Sequence, residues 1–438
     1  MRVLHFSTAD QHGGAAKVAF RLHQSLKQYG HASRMIVRDK QSSDDSVVAA
    51  AISPVLATWH KFLRHLPGWG TPQTKFTFNH DRQIGVDLDR TLAAQRGQVD
   101  VVFLHWITRF LSSGQIRQLA SRLGVPLFWH LLDQEPLTGG CHYSFGCQGF
   151  TVNCGNCPLL AEPSPNDVSR QVWQQKQRHL ADLPLTIIAP TRWAAEKARA
   201  SSLFGGHRIA EIPLPLDTTV FIPADRQQAR EQLGLPLDKR LVLFGASYLD
   251  EPRKGGAKLI AALHQLRGIM TQEKCSAGCT AEDVELVIIG QRGEFLARHC
   301  PFPSRLVGSL RDGPELARAY QAADLFVCPS IEDAGPMMIS ESLLCGTPVV
   351  AFDTGVAGEV VHTGQTGYLA GDFAPRDLAR GIFTVLADPQ PARLAQNARR
   401  IAFARHEPRG IIAQYEELYA SVLAETLPRN TLAARRAA

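Results

Sequence analysis

Residues 328–353 read CPSIEDAGPMMISESLLCGTPVVAFD, with Glu332 and Asp333 just before a Gly335-Pro336 step and Glu341 just after it. Ionised carboxylates only accept hydrogen bonds, which suits ligands rich in hydroxyl groups. A helix starting at Pro336-Met337 would turn free N–H groups and partial positive charge toward an anion such as a diphosphate. A cation pair, Arg253-Lys254, stands before Gly255-Gly256 at the end of another apolar run, and Gly13-Gly14 follow the first one. His130 lies within a further run, and Cys141, Cys147, Cys154 and Cys157 crowd into one glycine-rich stretch. Acids beside a helix start describe a site for a phosphorylated sugar.

The elements that must position these groups alternate. RVLHFS (2–7), SRMIVR (33–38), VDVVFLHW (99–106) and VPLFWHLLD (125–133) are short apolar runs of the buried-strand kind, with helix-like segments at 11–31 and 114–124 between them. A further strand and helix fall in 184–203, and RIAEIPLPLDTTVFIP (208–223) is a proline-rich connection. The pattern then restarts with RLVLFGAS (240–247), VELVIIGQ (284–291) and RLVGSL (305–310), and continues through DLFVCPS (324–330) and PVVAF (348–352). Pro336 suits the first helical position, and Gly346 a helix stop. The expected fold is α/β, with two Rossmann-like domains facing each other across a cleft and a C-terminal closing helix. The expected division is residues 1–215 as a first domain with a Cys-rich loop at 138–160, residues 216–405 as a second, and residues 406–438 as the closing helix and a frayed tail. At 438 residues, two cores are the natural division.

Composition excludes several classes. A hydrophobic share of 45% and a charged share of 20% describe a folded protein, and a net charge of +6 is far from that of a nucleic-acid binder. No apolar window is long enough to span a membrane, and MRVLHFSTAD lacks the features of a signal peptide. The expectation is a cytoplasmic protein whose thiols stay reduced. PVLATWHKFLRHLPGW (54–69) has the makings of a basic amphipathic helix, placing the protein peripherally at the inner membrane face or simply packing near a cleft rim. Three readings of the four cysteines stay open: a tetrahedral structural zinc, disulfides or redox-labile pairs, and no linkage. Cys275 and Cys279 stand apart in a polar loop, and His105 beside Trp106 reads as structural.

Over roughly residues 1–425, a span typical of two domains, the chain resembles the retaining glycosyltransferases of family 4, which have the GT-B fold. The likeness is carried by GG (13–14), LPLDTTVFIP (214–223), RKGG (253–256) and ESLLCGTPVVAF (341–352). A narrower likeness to bacterial exopolysaccharide transferases of the colanic-acid type is carried by HW (105–106) and TGGCHYSFGCQGFTVNCGNCPLL (138–160). The resemblance implies a nucleotide-diphospho-sugar donor as substrate, held by the second domain. It implies that Glu341 takes ribose hydroxyls, and that Lys254 binds the diphosphate with Arg253 as second cation. Asp333, standing where the family has glutamate, or its neighbour Glu332, takes sugar hydroxyls beside Gly335, Pro336 and Met337. Gly13 and Gly14 approach the donor phosphate or the acceptor. The family often has His-Asp where this chain has Leu132-Asp133, and His130 is the candidate substitute. The implied acceptor, taken on the side of residues 1–215 while residues 216–405 form the nucleotide-sugar domain, is a polysaccharide or a lipid-linked precursor. No Asp-x-Asp pair lies near a strand end, so no catalytic metal is expected. The alternatives are a nucleotide-sugar epimerase or phosphorylase on the same fold, or a catalytically silent sugar-nucleotide-binding protein.

Overall fold

Runs such as Val101–Leu104, Leu127–His130 and Leu185–Ala189 are buried along their whole length. Only a parallel sheet covered on both faces accommodates strands without a polar side. The computed structural model describes residues 1–53, 78–81, 85–93, 99–273, 278–310 and 313–426. It divides into two units, one of Met1–Pro215 with the segment from Arg409 onward, the other Leu216–Pro408. The amphipathic stretch 54–69, the tail 428–438 and Cys275 lie outside the described residues. No described helix is long and apolar enough to cross a membrane.

The first unit holds seven strands: β1 (Arg2–Ala9), β2 (Ala32–Asp39), β3 (Val47–Ala49), β4 (Val101–Leu104), β5 (Leu127–His130), β6 (Leu185–Ala189) and β7 (Arg208–Glu211). Their order is β3-β2-β1-β4-β5-β6-β7, parallel throughout. Residues 208–211, expected as the start of a connection, pair in register with β6 instead. Four residues before a proline-rich run carry too little periodicity to announce a strand. On one face the helices Gly14–Gln28 and Pro408–Thr426 supply Leu22, Leu26, Ile411, Ile412, Tyr415, Leu418 and Val422 against Val3, Val101, Phe103 and Phe128. The i, i+4, i+7 recurrence of the later helix makes one apolar stripe.

The second unit holds β8 (Arg240–Tyr248), β9 (Val284–Gln291), β10 (Ser304–Gly308), β11 (Leu325–Cys328), β12 (Val349–Phe352) and β13 (Gly367–Ala370). They form one parallel sheet of order β10-β9-β8-β11-β12-β13. In both sheets the order reverses once, between β1 and β4 and between β8 and β11. At such a switch point the loops leaving neighbouring strands run in opposite directions and leave a crevice at the carboxyl edge.

A column of buried histidines crosses the first unit. His5 and His105 stack with centroids 5.1 Å apart, and His105 and His130 at 4.7 Å with planes 3° apart. His5 Nδ1 lies 2.8 Å from His105 Nε2, and His130 Nε2 lies 2.7 Å from the Tyr415 hydroxyl. At the other end His5 and His23 share the Ser33 hydroxyl, at 3.0 and 2.7 Å. His23 continues to Ser46, which Asp44 and Lys27 hold at the surface. Burial holds all four imidazoles neutral, with His130 brought down to about 3, His23 to about 4, and His5 and His105 well below the usual range.

The unfolded chain therefore takes up protons below its ordinary histidine range that the folded chain refuses. Stability is whole above that range and is lost as pH falls through it, by about 1 kcal/mol per pH unit for each buried imidazole. The melting temperature is expected to fall steadily from pH 7.5 to pH 5. A flat profile by differential scanning calorimetry would show that the column titrates freely.

Candidate functional site

In the second unit the segments that follow β8 and β11, the two strands at the switch point, carry most of the residues singled out in the sequence. Arg253 and Lys254 lie on a 3₁₀ turn, Pro252–Lys254, after β8. The turn ends at Gly255 with φ of 73°, and a Cβ there would meet the Pro329 carbonyl oxygen at 1.8 Å. Only glycine lets this turn sit against the chain leaving β11. The Ile331 amide also donates to the Arg253 carbonyl oxygen at 2.8 Å. Two loops distant in sequence are thereby joined through their backbones, and the side chains they carry meet.

They meet at Asp333. Its Oδ2 accepts from Lys254 Nζ at 2.5 Å and from Arg253 Nη1 at 2.9 Å, and its Oδ1 accepts from the Gly335 amide at 3.2 Å. Arg253 Nη1 also reaches the Glu332 carbonyl oxygen at 3.4 Å, while its Nε and Nη2 engage the Glu251 carboxylate. Burial pushes the Asp333 carboxyl up, but the charges of Lys254 and Arg253 outweigh it and hold it at about 2. Glu332 and Asp333 are both buried.

The helix after this loop runs Met337–Leu344. Pro336, expected at its first position, precedes it with ψ of 89°, outside the helical range. Gly335 and Pro336 thus form the approach to the helix that Met337 opens, and the Gly335 amide is the one that Asp333 takes. Glu341 is buried on that helix and accepts from the Tyr320 hydroxyl at 3.2 Å. Sequence reasoning missed Glu251 and Tyr320. An acid two residues before an arginine was a usable signal for the first. Tyr320 sits 21 residues before Glu341 and gave none.

Gly13, Gly14 and His130 belong to the first unit. Gly13 has φ of 90° and caps the helix from Gly14, and a Cβ on either glycine would meet nothing within 4 Å. The backbone there is open to a ligand. His130 is buried in the histidine column, its Nε2 taken by Tyr415. Past β5 the chain is pinned by Asp133, whose Oδ2 accepts from Trp106 Nε1 at 2.7 Å and lies 2.5 Å from His142 Nδ1. Burial alone would lower the His142 pKa, yet the Asp133 charge raises it. Two residues on, Glu135 forms a buried pair with Lys176 at 2.6 Å, and the same ammonium donates to the carbonyl oxygens of Glu135 and Thr138.

Cys141, Cys147, Cys154 and Cys157 line one small cavity with Thr138, Ser144 and Phe150. All four are free thiols, and Cys279 elsewhere is disulfide-bonded. The structural zinc that was one of the three readings is not supported. Among the described residues, no group of three or more His, Cys, Asp or Glu side chains is placed to hold a metal ion. Burial instead pushes the Cys141, Cys154 and Cys157 thiols up, Cys154 to about 11, so that they stay protonated. The Gly139 amide donates to Cys154 Sγ at 3.2 Å.

Comparison with known proteins bears on both units. The family model for "Glycosyl transferases group 1" matches residues 225–401, the span that carries the Arg253–Lys254–Asp333 cluster. The chain is 26% identical to the putative colanic acid biosynthesis glycosyl transferase WcaC of Escherichia coli K12, over 83% of this chain and 85% of that protein. Among solved structures it is similar to sucrose-phosphate synthase from Thermosynechococcus elongatus, with a TM-score of 0.65 at 19% identity, covering 97% of this chain and 100% of that one. It is similar too to Anabaena HepE in complex with UDP and glucose, with a TM-score of 0.63 at 18% identity, covering 96% and 100%. These two likenesses show the fold, which is GT-B.

In the first unit the pair of Lys176 and Glu135 predicts a measurable stability loss. Lys176→Met strands a buried carboxylate and is expected to cost about 3–5 kcal/mol in urea unfolding, with Glu135→Gln in the same chain restoring part of it. A single variant as stable as the parent would show that water reaches the pair.

Proposed function

We propose, from the premise that this chain belongs through residues 225–401 to the glycosyl transferases group 1 family, that it transfers a sugar with retention from a nucleotide-diphosphate donor to a polysaccharide or lipid-linked acceptor. The observation that carries the reading is the cluster at the β8–β11 switch point, where two cations, the Gly335 amide and a helix start surround one position fit for an anion. Acids that can accept only hydrogen bonds stand beside it. A diphosphate above and hydroxyl groups beside it are what such a set of donors and acceptors would bind.

Lys254 and Arg253 take the diphosphate, and Glu341, fixed by Tyr320, takes ribose hydroxyls. Asp333 and Glu332 take hydroxyls of the transferred sugar. As the bond from the anomeric carbon to the diphosphate breaks, charge gathers on the leaving oxygen, and preorganised cations answer it without reorganisation. The acceptor oxygen attacks from the same face, and its proton passes to the departing phosphate. Asp333 is held ionised between two cations, so it is a poor proton donor and suits hydroxyl binding instead. HepE, of the same fold, is solved with UDP and glucose, which makes UDP-glucose the first donor to assay.

Lys254→Ala is expected to lower kcat for sugar transfer by about a hundredfold. Glu341→Gln is expected to raise KM for the donor by about tenfold and to change kcat less. Steady-state transfer assays with a panel of nucleotide sugars check both. Activity of Lys254→Ala equal to that of the parent would remove the cluster from the chemistry.

A further inference from the structure

The cation pair is already neutralised within the protein. Lys254 Nζ and Arg253 Nη1 both bind Asp333 Oδ2, and the rest of the Arg253 guanidinium is engaged by Glu251. Two carboxylates thus answer two cations one for one. The Asp333 carboxylate also takes the Gly335 amide at the approach to the Met337–Leu344 helix. One oxygen on two cations and the other on a backbone amide is the set of contacts that a phosphate oxygen pair would make. An arriving diphosphate finds its donors in use, and the group using them is an acid suited to sugar hydroxyls.

We propose that Asp333 is a specificity-determining residue which makes tight binding of the diphosphate conditional on the attached sugar. Its carboxylate stands in for the diphosphate on Lys254, Arg253 and Gly335, and turns to the sugar hydroxyls when an intact donor displaces it. A nucleoside diphosphate without its sugar displaces the same carboxylate and offers it nothing in return. The spent nucleotide therefore binds more weakly than the donor, and product leaves. The Glu251 carboxylate, side-chain exposure 30%, engages Arg253 and takes neither Lys254 Nζ nor the Gly335 amide, which both go to Asp333. This inference rests on the donor site proposed above.

Isothermal titration of the full chain with UDP, GDP, ADP and their glucose conjugates tests it. The parent is expected to bind one glucose conjugate more tightly than its free diphosphate. Asp333→Asn keeps the shape, removes the competing charge, and is expected to bind the free diphosphate about tenfold tighter while the preference for the conjugate disappears. Glu251→Gln is expected to shift both ligands alike and to keep the preference.

Each outcome decides. A parent that binds diphosphate and conjugate equally overturns the proposal without any variant. Free diphosphate bound by Asp333→Asn no tighter than by the parent overturns it as well, and leaves Asp333 as a group that only positions the cations. Loss of the preference in Glu251→Gln would assign the effect to general charge. A parent that binds no nucleotide of the panel overturns the donor site itself, and this inference with it.

Discussion

The structure of the second unit's edge depends on one carboxylate shared by two cations. Arg253 and Lys254 would repel each other if brought together alone, and Asp333 would not stay ionised if buried alone. Each makes the others' burial tolerable. The backbone beneath them is arranged to the same end, because the glycine at 255 and the amide of Ile331 bring the β8 and β11 loops within contact. Glu251 and the approach to the Met337–Leu344 helix add a second carboxylate on Arg253 and a backbone amide on Asp333.

The first unit solves a different problem with similar means. Its sheet carries imidazoles where a core would ordinarily carry aliphatic side chains, and their cost is met by stacking and by hydroxyl partners on Ser33, Ser46 and Tyr415. The loop after β5 has few apolar residues and is held by the Asp133 and Glu135 carboxylates, which bind donors from after β4, from His142 and from Lys176. The Asp133 and Glu135 carboxylates are tolerated here because donors face them, whereas His105, His130 and His142 each keep one buried ring nitrogen without a partner.

How far the sequence alone could be read follows from which interactions are local. Parallel strands buried on both faces write their pattern into four to eight consecutive residues, so both sheets and the restart after residue 223 were legible. The glycine beside Lys254 and the acids around Pro336 announced a strand-end site for the same reason. Val47–Ala49, Arg208–Glu211 and Gly367–Ala370 were not legible, since edge strands of three or four residues leave no period to detect. Asp333 was read as an acid facing sugar; that it would hold both cations depends on a contact across 79 residues. His130 was read from its place on a strand, and only the position of Tyr415, 285 residues later, reveals the column that contains it. The four cysteines were gathered by spacing, but spacing does not fix side-chain directions, so it left three readings open where the structure has four free thiols around one small cavity.

The first unit is interrupted in sequence and completed from Arg409 onward. Ile411, Ile412, Tyr415, Leu418 and Val422 cover the same sheet face as Leu22 and Leu26. During synthesis that face stays bare while almost two hundred further residues emerge, long enough for the intervening unit to assemble first. The order of completion on the ribosome is therefore the reverse of the order of translation, and a truncated product would expose apolar sheet and an unpaired His130, marking it for chaperones or proteases.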